Sequence, residues 1–210
     1  MAVRILLADD HSIVRQGLRA ILEREGFEIV GEAADGHEAI QLCERHHPEV
    51  AVLDVTMPLL NGIDAAQEIK RSHPRTKVVL LTIHTEDNFV LQSLRAGVNG
   101  FVLKQRSAEE LVRAIREVCK GETFLSAGIC RTVVDALVNK TELPNEPLSD
   151  RERQVLQLVA EGKTNKETAT ILDISPKTAE FHRAHIMEKL DIHDTAGLVR
   201  YAIRLGLIDC

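Results

Sequence analysis

Along the first 120 residues, short apolar runs alternate with longer segments in which apolar residues recur every three or four positions. Val3 to Ala8 is a strand candidate that ends in Asp9-Asp10, and Ile13, Val14, Gly17, Leu18, Ile21 and Leu22 follow it at helical spacing. Phe27 to Val30 predicts a second strand. Asp35-Gly36-His37-Glu38 then has the form of a capping box, opening a helix that carries Ala39, Ile40 and Leu42 inward. Val50 to Asp54 is a third strand, closed by a carboxylate; Met57-Pro58 and Asn61-Gly62 turn the chain into a helix from Ile63 to Ile69. Val78 to Thr82 and Phe101 to Lys104 predict two more strands. A helix from about Glu86 to Arg95 lies between them, and Ser107-Ala108-Glu109-Glu110 caps another that ends near Lys120.

Five rounds of strand and helix require crossover connections, so the strands are parallel and buried on both faces. The fold class expected is α/β, a five-stranded parallel doubly wound sheet of flavodoxin-like type. Beyond it, Ile129, Val133, Val134 and Leu137 predict an extra helix over Ser126 to Val138. Asn139 to Pro147, with two prolines and almost no apolar content, marks a linker. Four short helices follow. Ser149-Asp150-Arg151-Glu152 and Thr164-Asn165-Lys166-Glu167 are capping boxes, Gly162 stops the first helix, and Ser175-Pro176 opens a third helix that runs to Leu190. The fourth spans about Asp194 to Leu205. The division expected is residues 1–125, a helix and linker over 126–147, and an all-α unit over 148–210.

Composition changes this picture little. With 44% hydrophobic and 28% charged residues the chain is an ordinary globular sequence, without a membrane-length apolar run or a leader pattern, and a cytoplasmic location is expected. The net charge of -6 argues against wholesale nucleic-acid binding. The acidity is uneven, however: nine basic residues face ten acidic ones from Leu148 onward, against 17 and 22 before it. Cys43, Cys119, Cys130 and Cys210 lack metal-ligand or disulfide spacing.

Chemistry in an open parallel sheet concentrates at the carboxyl ends of the strands. Those ends carry Asp9 and Asp10, Asp54, Thr82 and Lys104. Singly, each has a bland reading as a turn cap, a β-former or a solvated charge. Together, three carboxylates on one rim repel one another unless a cation intervenes, and oxygen ligands of this kind suit Mg²⁺. A phosphoryl group on Asp54 completes the set, with Mg²⁺ bridging its oxygens, Lys104 neutralising another and Thr82 donating a hydrogen bond.

These residues, with Met57-Pro58, resemble the receiver domain of two-component response regulators over about the first 125 positions. The resemblance implies that Asp54 accepts phosphate from a cognate sensor histidine kinase. It further implies that Asp9, Asp10, Asp54 and the backbone carbonyl of Thr56 hold Mg²⁺, and that Thr82, Lys104 and the aromatic Phe101 sense the phosphoryl group. Phe101 stands where the family often has tyrosine, and Gln105 where many receivers have proline.

In the second half, two short helices joined by a tight turn fit a helix-turn-helix, with a small protein-binding module as the alternative. Leu148 to Leu156, Thr164 to Glu167, Ile174 to Thr178, His182 and Lys189-Leu190 resemble the LuxR-type DNA-binding domain of NarL/FixJ response regulators. Thr168, Ala179 and His193-Asp194-Thr195 depart from the family pattern. Candidate contacts to double-stranded DNA are Thr164, Asn165 and Lys166 on phosphate, and Lys177, Thr178, Glu180, Phe181 and Arg183 in the groove. Leu198, Val199, Tyr201 and Ala202 match the family's dimerisation surface, with a place in the unit's own core as the alternative. The resulting expectation is a phosphorylation-controlled DNA-binding homodimer with Mg²⁺ as cofactor, without a membrane partner and with RNA polymerase as a further candidate partner. Beyond slow self-dephosphorylation, no enzyme activity is expected. The rivals are an Mg²⁺-dependent phosphohydrolase, for which Asp54-Val55-Thr56 lacks a second aspartate, and a regulator insensitive to phosphate.

Overall fold

The computed structural model describes residues 2–83, 96–105, 107–127 and 147–208. The expected helix at 86–95, most of the one at 126–138 and most of the linker at 139–147 lie outside the described residues. Six strands form one parallel sheet: β1 (Arg4–Ala8), β2 (Glu28–Ala33), β3 (Val50–Asp54), β4 (Lys77–Thr82), β5 (Gly100–Leu103) and β6 (Phe124–Leu125), in the order β2-β1-β3-β4-β5-β6. The sheet is thus one strand larger than the five expected. Phe124 and Leu125 pair with Gly100 and Phe101, and a two-residue strand is too short to show any periodicity in the sequence.

Helices α1 (Ser12–Arg24), α2 (Gly36–His46), α3 (Gly62–Ser72) and α4 (Ala108–Cys119) cover both faces. Because strand side chains alternate, Leu6 and Ala8 join one core with Ala39, Cys43, Ile63 and Ile69, while Ile5 and Leu7 join the other with Leu22, Leu111, Val112 and Ile115. The face expected of α1 is only partly inward: Leu22 is buried and Leu18 and Ile21 pack against the same core, but Ile13 in the first turn is 84% exposed. The capping box expected at Ser107 does not close either. The Glu110 carboxylate accepts instead from Ser126 Oγ at 2.8 Å.

The C-terminal unit consists of α5 (Asp150–Ala160), α6 (Asn165–Ile171), α7 (Pro176–Leu190) and α8 (Thr195–Arg204) around a core that includes Val155, Leu156, Val159, Ile186 and Leu198. Both predicted boxes, at Ser149 and Thr164, are formed with their glutamates. Ser175 accepts from the Thr178 N–H, with Pro176 in the first turn. Thr168 and Ala179, the two small residues noted in the sequence, are each 1% exposed, and the Thr168 hydroxyl is buried without a partner among the described residues.

Candidate functional site

The order of the sheet reverses between β1 and β3, which places Asp9 and Asp54 on either side of the crevice where open α/β sheets bind ligands. Asp9 is fully buried and Asp54 is 4% exposed. Lys104, one residue past β5, reaches back between them. Its Nζ donates to Asp9 Oδ2 at 2.8 Å and to Asp54 Oδ2 at 2.6 Å. The backbone N–H of Lys104 is held by the carbonyl of Thr82 at 2.8 Å, so the strand pairing itself sets the base of this reach. Burial would lower the Lys104 ammonium, but Asp54 and Asp9 outweigh it and raise its pKa. Burial also dominates at Asp54, pushing its carboxyl up to about 6 against the pull of Lys104, and Asp9 and Asp10 add to the rise.

Asp9, Asp10, Asp54 and His11 each offer a ligand atom, all within 4.8 Å of one another. His11 was not singled out in the sequence, although it follows the Asp9-Asp10 pair directly. Its Nδ1 lies 2.7 Å from Asp10 Oδ1 and its backbone N–H donates to Asp9 Oδ1 at 2.9 Å. A buried carboxylate resisting ionisation beside two more carboxylates fits a hard divalent cation with oxygen ligands, and the donor set suits Mg²⁺. Thr56, whose carbonyl was the fourth predicted ligand, is partly exposed in the loop after β3. Thr82 is 1% exposed at the end of β4, and Phe101 is fully buried in the core on the α2/α3 side of the sheet.

Residues 5–116 match the model of the response regulator receiver domain, and residues 146–202 match that of the luxR family of bacterial regulatory proteins. The chain belongs to the NarL/FixJ family of two-component response regulators. It is 39% identical over 216 residues to the oxygen regulatory protein NreC of Staphylococcus haemolyticus, covering 99% of this chain and 100% of that one. With the response regulator UvrY of Escherichia coli K12 it shares 36% over 208 residues, 98% and 95% of the two chains. Among solved structures, RcsB of Salmonella enterica bound to promoter P1flhDC with the phosphomimetic BeF3- superposes with a TM-score of 0.65 at 29% identity, over 96% of this chain and 98% of that one. An RcsB-DNA complex gives 0.61 at 29%, over 97% and 98%.

On the regulator's second unit, Lys166, Lys177 and Glu180 are exposed and Phe181 is 63% exposed, its ring stacked on that of His185 at 5.7 Å between centroids. Asn165 is partly exposed in the first turn of α6. Thr164 and Thr178 are partly committed: the first accepts from Glu167 N–H in its box, and Thr178 Oγ1 lies 2.8 Å from Ser175 Oγ. Arg183 donates to Thr195 Oγ1 at 2.9 Å, across from α7 to the start of α8. The predicted dimerisation set needs correction. Leu198 and Ala202 are 1% and 0% exposed in the unit's own core, because α8 must bury that face to close the bundle; Val199 and Tyr201 remain partly exposed.

Proposed function

We propose that this regulator takes a phosphoryl group onto Asp54 from a histidine kinase, and that the modification governs how its DNA-binding unit engages double-stranded DNA. In this reading residues 1–125 are the receiver, 126–147 the connector and 148–210 the DNA-binding domain. The observation that carries it is the Lys104 ammonium set between two buried carboxylates, Asp9 and Asp54, with Asp10 beside them. An Asp54 oxygen forms the new bond to phosphorus as the bond from phosphorus to the kinase imidazole breaks, and a proton returns to that imidazole. Bound Mg²⁺ supplies positive charge to the transferring oxygens. Asp9, Asp10, Asp54 and the Thr56 carbonyl would hold it. Lys104 neutralises one further oxygen, and Thr82 with Phe101 answers to the group's presence.

The chain is read as an acceptor and not as a turnover enzyme, since Asp54-Val55-Thr56 provides no second carboxylate for acid-base work. Lys166 serves the DNA backbone, while Lys177, Glu180 and Phe181 face base edges. Homodimerisation on phosphorylation, contact with RNA polymerase and a cytoplasmic location complete the reading. Among the described residues no helix is long and apolar enough to cross a membrane. The test is incubation with acetyl phosphate and Mg²⁺, followed by mass spectrometry and DNA titration. Labelling is expected on the parent and not on Asp54→Asn, with intact circular dichroism in both. Parent-level labelling of Asp54→Asn, or DNA affinity indifferent to labelling, would overturn the proposal.

A further inference from the structure

Phe181 is an exposed aromatic with support built around it. It lies in the N-terminal half of α7, the part of a reading helix that meets base edges, and is 63% exposed. A single exposed apolar residue is ordinary on a protein surface and asks for no explanation. The surroundings of this one are less ordinary. Its ring stacks on that of His185, with centroids 5.7 Å apart and planes at 26°, and meets His182 edge-on at 6.1 Å and 65°. The spacing explains the stack. Residues four apart share a row on a helix, and helical side chains lean toward the N-terminus, so His185 leans over Phe181.

His185 is held in turn from a different helix. Its Nδ1 lies 3.0 Å from Oε1 of Glu152, in the first turn of α5; the His185 side chain is 43% exposed and that of Glu152 only 4%. Glu152 is a fixed post. Its Oε2 accepts from Ser149 N–H, Ser149 Oγ and Lys189 Nζ, each at 2.8 Å. The carboxylate is therefore anchored to the cap of α5 and to the last turn of α7 without help from His185. A chain of contacts runs outward from a buried carboxylate, through a half-exposed imidazole, to an exposed ring.

Such a chain matters because of what a helical phenylalanine does alone. It divides its time between two χ1 wells, since the third drives the ring into the preceding turn. Aromatic stacking favours one well by about two- to tenfold. A thymine methyl group offers an apolar contact at one place in the major groove, and a ring already in its bound pose loses less freedom on reaching it. The imidazole can supply that preference only if its own rotamer is locked, which is what the contact with Glu152 provides.

We propose that His185 is a positioning residue for sequence reading: fixed by Glu152, its ring keeps Phe181 in the rotamer that meets a thymine methyl group in the major groove. The proposal rests on the proposed role of Phe181 at base edges. It extends the determinants of base choice from α7 to Glu152 on α5. It also separates His185 from Lys166, whose charge acts on any phosphate, because His185 acts through another side chain and only where that side chain touches a base. Removing the imidazole leaves all three bonds to Glu152 Oε2 in place, so the fold and the rest of the reading surface are retained.

The test uses the full chain, treated throughout with acetyl phosphate and Mg²⁺, and duplexes that the parent selects from a randomised library. Each thymine is replaced in turn by deoxyuridine, which removes only the methyl group. At one position of the site the parent is expected to lose about fourfold in affinity, the worth of one buried methyl group. In His185→Ala that loss should fall to about onefold, with affinity for the deoxyuridine duplex within about twofold of the parent's. His185→Gln, which keeps a polar group toward Glu152 but cannot stack, serves if the alanine variant folds poorly, and the same result is expected. Phe181→Ala should abolish the discrimination too, and adding His185→Ala to it should change nothing more. A folded His185→Ala that keeps the parent's discrimination, or that weakens both duplexes equally, overturns the proposal. A parent indifferent to every methyl group, or a Phe181→Ala protein that still discriminates, refutes the role of Phe181 at bases and the specificity half with it. The positioning half is decided without DNA, by three-bond NMR couplings from Phe181 Cγ to the backbone nitrogen and carbonyl carbon. They should report one χ1 well in the parent and an average of two in His185→Ala, and identical couplings in the two proteins overturn the positioning.

Discussion

Two glycines should respond to the same substitution with opposite signs. Gly62 opens α3 behind its Asn61 cap, and an alanine Cβ there would lie 1.9 Å from Asp54 O and 2.8 Å from Asp54 C. The Cβ is fixed by its own backbone and meets backbone atoms, so relief to an ordinary contact of 3.4 Å requires the two segments to part by about 1.5 Å. Overpacking of this kind costs about 3 kcal/mol. Parting also breaks the buried bond from Gly62 N–H to Val55 O, worth about 1 kcal/mol, and helix propensity returns about the same amount. Gly17, in contrast, lies exposed inside α1 with no atom within 4 Å of a built Cβ. There the alanine should stabilise by about 0.5–1 kcal/mol. The expected result is a loss of roughly 3 kcal/mol for Gly62→Ala and a small gain for Gly17→Ala. Urea unfolding of the full chain followed by far-UV circular dichroism is the assay, since the chain has no tryptophan and one tyrosine. A Gly62→Ala protein within about 0.5 kcal/mol of the parent, or both variants moving in the same direction, would refute the reasoning.

Four further substitutions test the DNA-binding unit. Lys166→Ala should weaken DNA binding across all sequences and reduce the salt slope by about one, whereas Glu180→Ala should change sequence preference; titrations at several salt concentrations on two sequences separate them, and an unaltered preference removes Glu180 from base reading. Thr168→Val should raise stability by about 1 kcal/mol, because the hydroxyl it removes is buried without a partner, and a lower melting temperature would refute this. Glu152 gives a pH dependence: burial works against its ionisation, but donors on Lys189 and Ser149 hold its carboxyl down to about 2. Its folded pKa lies below the unfolded value of about 4.3, so its stabilisation is present above that value and lost as pH falls toward 2. Glu152→Gln should flatten the acid limb of the unfolding curve, and parallel limbs would contradict the assignment.

Local chemistry explains what could be read from the chain. Apolar runs ending in Asp9-Asp10, Asp54, Thr82 and Lys104 located the strands and their carboxyl ends, because parallel strands buried on both faces carry an uninterrupted signal. The boxes at Ser149 and Thr164 located two helix starts to the residue, since a cap is decided within four positions. Partnerships between distant segments were less visible. Leu198 and Ala202 sit on an amphipathic helix whose apolar face looks the same whether it meets its own core or a second copy. Ser107 failed as a box because Ser126, far along the chain, claims Glu110. Nothing local to Arg153 or Gln157 marks them for burial, and only the position of the receiver loop reveals why they are buried.

Gln157 of α5 donates to the carbonyl of Met57 and accepts from Asn61 in the loop after β3, and this contact bears on the making of chimeric regulators. A receiver grafted onto a foreign DNA-binding unit through the connector would carry over Met57, Leu59, Asn61 and Asp64 without the side chains that meet them. The contacting module is therefore discontinuous in sequence. It pairs residues 57–67 with residues 150–161, and a chimera conserves the wiring only when both segments travel together.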